Sequence, residues 1–262
     1  MEIFVCLKLV PNTQDTEVRI DSSKRDILKV RLSYTINEAD DYALEAALQL
    51  KEKVGGQITV ITVGEAQADE MLRMALAKGA DQAIRLSDEV FTNFRYDPLT
   101  IAYLLAKAIS QYKYDLILTG AIASDDGYSA VGPALAGFLK IPSAAYVTYL
   151  ELIDNQRLKV SRELEGGLLE NKELALPCVL SIQTGINKPR YASILGIKRA
   201  SSKPLTVLNA GQLNVNQKDL KMFIDLVEMY YPEIVSKAQI ISGNEEEISE
   251  KLALIIKEKV GL

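Results

Sequence analysis

Four strand-length runs of Ile, Leu and Val, at Ile3 to Val10, Gln57 to Val63, Gln82 to Leu86 and Asp115 to Thr119, alternate with helical patterns across the first 150 residues. Runs this short and this apolar suit strands buried on both faces, and strands alternating with amphipathic helices build a parallel α/β sheet. Ala43, Ala47, Leu50 and Val54 recur at helical spacing, as do Ile101, Leu104, Leu105, Ala108 and Tyr112, so a helix is predicted in each of these crossovers. Asp97-Pro98 predicts the start of the latter, with Asp as cap and Pro at the first helical position.

After Pro142 the pattern changes. Ala144 to Ile153, Gln156 to Leu164, Leu168 to Leu174 and Cys178 to Thr184 read as strands, and Glu165-Gly166-Gly167 predicts a hairpin turn. In the second of these, Leu158, Val160 and Leu164 alternate with charged residues, which predicts an antiparallel addition to the sheet with one solvated face. From Asn187 periodicity is lost for about 25 residues, too long for an ordinary connector and therefore read as either functional or disordered. Two helical patterns, Lys218 to Tyr231 and Glu245 to Lys259, close the chain as a polar arm, the second opened by Gly243-Asn244 and a Glu run. The reading divides the chain into an α/β domain over residues 1–208 and a helical arm over 209–262.

Composition removes whole classes of chemistry. Histidine is absent, which excludes Ser-His-Asp and Cys-His hydrolases, HExxH zinc enzymes and histidine proton shuttles. The two cysteines, Cys6 and Cys178, lie in apolar runs without metal spacing and read as buried thiols. No catalytic residue and no metal ligand set is assigned. A net charge of −5 with scattered Lys and Arg argues against nucleic acid, the exception being the basic stretch Lys188 to Lys203. No apolar run approaches the ~18 residues of a membrane span, and MEIFVCLKLVPN has no charged leader, so direct membrane insertion is not expected and the location reads as cytoplasmic.

Three segments can carry function. Asp115 to Pro142 runs from a buried strand through a small, acidic loop, Gly120 to Gly132, into a helix with Val131, Leu135, Phe138 and Leu139 on its inner face. Strand ends and helix N-termini bind anions in open α/β sheets, although the same glycines also serve simply to turn the chain. Ile36-Asn37-Glu38-Ala39-Asp40-Asp41 resembles a capping box, Asn37 with Asp40, at the start of the first helix. With the strand ends at Cys6 and Val63-Gly64 it would border the same crevice. Asn187 to Ala200 sets Ile194, Leu195 and Ile197 in a basic loop, either packed on its own core or covered by a partner.

Taken together, VCLKLVPNT, INEADDYALEAALQLKEK, ALAKGAD, DLILTG followed by DDG and VGPALAGFL, EGGL, LPCVLSI and above all NKPRYASILGI resemble the beta subunits of electron-transfer flavoproteins over nearly the whole chain. The resemblance implies a doubly wound, mainly parallel sheet of the adenine-nucleotide α-hydrolase-like kind. It also implies an electron carrier, not an enzyme in its own right, paired through its arm with an alpha subunit that holds a redox-active FAD. The beta subunit would hold AMP or, in bifurcating members that oxidise NADH, a second FAD. By motif position the nucleotide would touch Cys6, Asn37, Glu38, Ala39, Asp40, Val63 and Gly64. In the loop it would touch Gly120, Ala121, Ile122, Ala123, Ser124 and Asp125, then Asp126, Gly127, Tyr128, Ser129, Ala130, Val131 and Gly132. A recognition loop at 187–203 would dock on acyl-CoA or other dehydrogenases through Arg190, Tyr191, Ile194, Leu195 and Ile197, with Ile194 as the anchor.

The chain departs from the family at Ala121-Ile122, where a Lys-Gln pair is usual, at Gly127 in place of a third acid, and at Ser201-Ser202 within a lysine run. EGGL and Asp125-Asp126 resemble AMP-binding members, whereas Val10-Pro11-Asn12-Thr13, Val131-Gly132-Pro133 and GNEEEI resemble flavin-binding ones. The alternative is a stand-alone adenine-nucleotide enzyme or a stress-type ATP-binding protein; against an ATP-cleaving enzyme stands the lack of SGGxDS or a metal-carboxylate site.

Overall fold

The computed structural model describes residues 1–233 and 238–261. Residues 1–228 form one compact unit, and the residues from Met229 on form a second. The first unit contains β1 (Glu2–Cys6), β2 (Leu9–Pro11), β3 (Tyr34–Ile36), α1 (Glu38–Val54), β4 (Gln57–Val63), α2 (Ala68–Lys78), β5 (Gln82–Leu86) and α3 (Pro98–Ile109). It continues through β6 (Leu116–Gly120), α4 (Val131–Leu139), β7 (Ser143–Asp154), β8 (Arg157–Glu163), β9 (Leu169–Ala175), β10 (Cys178–Ile182), α5 (Ile194–Ala200) and β11 (Leu205–Leu208).

Nine strands form one sheet in the order β11-β5-β4-β1-β6-β10-β7-β8-β9. From β11 to β7 every neighbour pair is parallel, and β8 and β9 complete the sheet as an antiparallel meander. The expected antiparallel addition is therefore present, turning at Gly166 and Gly167, both at positive φ. The sheet is covered on both faces because β1 alternates: Ile3 and Val5 join α1 and α2 in one core, and Phe4 and Cys6 join α3 and α4 in the other. The chain winds β1, β4, β5 in one direction and then returns to place β6 on the other side of β1. Strand order thus reverses between β1 and β6, the switch point at which open α/β sheets bind ligands.

Several expectations need correction. The run Ile3 to Val10 is two strands, because at Lys8 the chain leaves the large sheet: its N–H donates to the Asp40 carboxylate, and β2 pairs antiparallel with β3 in a separate ribbon. The stretch after Asn187 is not structureless but contains α5, capped by Ser193, and β11, which extends the sheet beside β5. The helix expected over Lys218 to Tyr231 is absent. Only a 3-10 turn, Gln217–Asp219, forms, since the Asp97 carboxylate accepts from Phe223 N and Ile224 N while Thr100 Oγ1 donates to Lys221 O at 2.6 Å. On α4 the buried residues are Gly132, Leu135 and Ala136, and Phe138 instead lies half exposed, edge-on to Tyr103 at 5.6 Å.

In the second unit α6 (Glu245–Val260) forms as predicted, with Asn244 Oδ1 accepting from Glu247 N at 2.9 Å and three glutamates in its first turn.

Candidate functional site

A crevice open to solvent lies over the ends of β1 and β6. Cys6 at the end of β1 lines it with Leu7 and Lys8 just beyond, Asn37 and Asp40 from the start of α1, and Pro98, Ile101 and Leu105 from α3. Thr119, Gly120, Ala121, Ile122 and Ala123 supply the end of β6, and Asp126 with Tyr128 to Val131 the approach to α4. Of the remaining residues expected here, Ser124, Asp125 and Gly127 stand on the outer turn of that loop, and Glu38 and Ala39 in the first turn of α1. Val63 and Gly64 end β4 one strand away, with Gly64 N–H donating to Leu86 O.

The capping box expected at α1 does not form. Asn37 turns its side chain to the loop instead, Nδ2 donating to Ile122 O at 2.9 Å and Oδ1 accepting from Ser124 N at 3.1 Å. Asp40, 6% exposed, accepts from Lys8 N at 2.7 Å and from Gly120 N at 2.8 Å, so one carboxylate pins the two strand ends of the switch point. The local sequence suggests a cap, and the fold makes a long-range clamp of the same residues.

Burial pushes the Asp40 carboxyl up to about 7, against the pull of the Lys8 and Gly120 amides. Between the unfolded value of 3.8 and about 7 the folded state holds a proton that the unfolded chain has lost. This group's contribution to stability is therefore full below the unfolded value and is lost as pH rises through about 7. Denaturant unfolding from about pH 5 to about pH 8 should show a weaker pH dependence for Asp40→Asn than for the parent protein; identical slopes would mean that Asp40 does not titrate there.

Lys8 Nζ lies 2.6 Å from Asp125 Oδ1 and 2.6 Å from Asp126 Oδ2. Burial works against its charge, but the two carboxylates outweigh burial and hold its pKa above the ordinary lysine value. Arg95, the other cation of the crevice wall among the described residues, pairs with Asp26 and lies 4.7 Å over the Tyr96 ring. Neither cation stood among the expected site residues. A lysine interrupting the first apolar run was a visible signal for Lys8, while the ion pair of Arg95 spans distant segments and leaves no local pattern.

Helix α4 begins at Val131, and its N-cap, Ala130, has no capping side chain. Its first-turn N–H groups thus have no side-chain acceptor, an arrangement that suits a phosphate. Small residues leave room for close approach, and Gly132 is pressed so tightly on the sheet that a Cβ there would lie 2.0 Å from Ser181 Oγ.

The residues expected to dock a partner divide in two. Arg190 faces inward: its guanidinium donates to Glu45 at 2.8 and 3.0 Å and to Glu52 at 2.5 Å, fastening the segment to α1. Tyr191, Ile194, Leu195 and Ile197 face outward, at 94%, 78%, 58% and 52% exposure. Gly196 allows this display, because α5 approaches α2 until a Cβ there would be 2.3 Å from Ala77 O.

Comparison with known proteins places the chain in a family. The model of the electron transfer flavoprotein domain matches residues 27–213. An electron transfer flavoprotein subunit beta of Methylophilus methylotrophus is 35% identical over 100% of both chains. That of Thermoanaerobacterium thermosaccharolyticum is 38% identical over 96% of each. The caffeyl-CoA reductase-Etf complex subunit CarD of Acetobacterium woodii is 39% identical over 80% of this chain and 78% of its own.

Proposed function

The chain belongs to the electron transfer flavoprotein family as a beta subunit, and from that premise we propose that its crevice holds the adenosine and first phosphate of AMP or of a second FAD. The observation that carries this reading is the coincidence, at one sheet edge, of the β1/β6 order reversal with the uncapped start of α4. Asp40 and Asn37 hold the strand ends and the loop in place, and Lys8 offsets the charge of Asp125 and Asp126. No residue of this chain makes or breaks a bond in this reading; the chain acts as an electron carrier subunit. The flavin, when bound, supplies one- and two-electron transfer. The partner is an alpha subunit bearing FAD, engaged in part by the arm with α6. The exposed Tyr191, Ile194, Leu195 and Ile197 meet acyl-CoA or other dehydrogenases, and burying one such aliphatic side chain contributes roughly 1.5 to 3 kcal/mol.

Denaturing the purified complex with its alpha subunit and chromatographing the released nucleotides tests the assignment. The expected result is either one FAD with one AMP, or two FAD without AMP. One FAD and no AMP would leave the crevice without its proposed ligand and sink the reading.

A further inference from the structure

Strand β7 carries a bulge against β10. Ala144 stands opposite Leu180 of β10 and Val147 opposite Ile182, so Ala145 and Tyr146 together face the single position of Ser181. Tyr146 has φ of 58°, the left-handed region that a bulky side chain rarely adopts. A bulge re-aims the side chain it carries, and here the phenol O–H donates to Ser129 Oγ at 3.0 Å. Ser129 is itself left-handed, with φ of 53°, and lines the crevice two residues before α4. Two non-glycine residues in this region thus meet through one hydrogen bond. Conformations of this kind persist where the surroundings over-determine them, and they concentrate at ligand sites. The other side of the turn is already set, because Gly132 is packed against Ser181 and Thr119. What remains to be held is the segment through Ser129, and Tyr146 holds it.

Resting on the reading of the crevice as an adenine-nucleotide site, we propose that Tyr146 is a positioning residue whose hydroxyl fixes Ser129, and with it the turn that presents the first amides of α4 to the phosphate. The side chain need not touch the nucleotide. Its hydroxyl acts through the serine, so removing either member of the pair removes the same restraint.

Equilibrium dialysis of radiolabelled AMP against the nucleotide-stripped complex with the alpha subunit provides the test. Tyr146→Phe and Ser129→Ala should each weaken AMP binding about 3- to 10-fold, and the double variant should lose no more than either alone. Ser129→Gly, which accepts the left-handed backbone without the hydroxyl, should bind equally weakly while its thermal midpoint without nucleotide is unchanged or raised; this separates positioning from folding. Parent-like AMP binding by Tyr146→Phe, or losses that multiply in the double variant, would overturn the role of Tyr146 and leave the crevice assignment standing. Failure of the parent complex to bind either AMP or a second FAD would overturn both.

Discussion

Gly120→Ala should remove at least nine-tenths of the nucleotide affinity and lower stability by about 1–3 kcal/mol. The reason is contact with backbone, which cannot step aside. A Cβ at Gly120 would lie 2.4 Å from Asp40 Oδ1, 2.8 Å from Asp40 N and 2.9 Å from Ala39 C. To admit it, the start of α1 must move away from the end of β6, and the 2.8 Å hydrogen bond from Gly120 N to Asp40 is lost with that movement. Both walls of the crevice hang on this bond, so affinity should suffer more than folding. Gly137→Ala is the matched control: nothing lies within 4 Å of a Cβ there, and alanine in an exposed helix position should stabilise by up to about 1 kcal/mol. Isothermal titration of both variants with AMP checks the contrast. Parent-like affinity in Gly120→Ala would show that the clamp does not shape the site.

Arg190→Ala should be the most destabilising single change on the surface of the first unit, about 3 kcal/mol, or roughly 6–12 °C in thermal midpoint. Glu45 is 4% exposed and keeps only Gln49 Nε2 at 2.9 Å and the backbone N–H of residue 190 at 3.2 Å among its described partners once the guanidinium is gone. A buried carboxylate left in that state bears its full desolvation cost. The figure sits at the low end for such pairs because the Arg190 side chain is 33% exposed, and Glu52, at 58%, adds little. Burial works to raise the Glu45 pKa, but the hydrogen bonds from Arg190 outweigh it and hold the carboxyl below its ordinary value. The stabilisation is therefore present above the unfolded value and is lost as pH falls through the folded one, so the gap between parent and variant should close in acid. Adding Glu45→Gln to Arg190→Ala removes the stranded charge and should recover much of the loss. A single variant within about 0.5 kcal/mol of the parent would refute the buried pair.

Elements set by contacts within a few residues are legible in the sequence. Ile3 and Val5 point to one face of β1 and Phe4 and Cys6 to the other, because side chains alternate along a strand whatever surrounds it. Asp97 caps α3, its Oδ1 accepting from Leu99 N at 3.0 Å, through contacts that span only a few residues. The family resemblance belongs with these readings, since it rests on motifs complete in the linear chain.

The misread elements share a different cause: a polar group finds its partner far along the chain. The same Asp97 that caps α3 also accepts the amides of Phe223 and Ile224, and that contact, not helix propensity, decides the path after Asp219. Asn37 gives its side chain to Ile122 and Ser124, and Asp40 joins Lys8 to Gly120, where four neighbouring residues alone suggested a cap. The Arg190 guanidinium likewise finds its partner in Glu45, far along the chain. By itself the sequence determined which segments are strands and helices wherever backbone hydrogen bonding and apolar periodicity are satisfied locally. The tertiary structure alone decided where strand order reverses and which buried polar groups meet there, because a desolvated carboxylate or amide must be paired, and its partner is set by the fold and not by nearness in the chain.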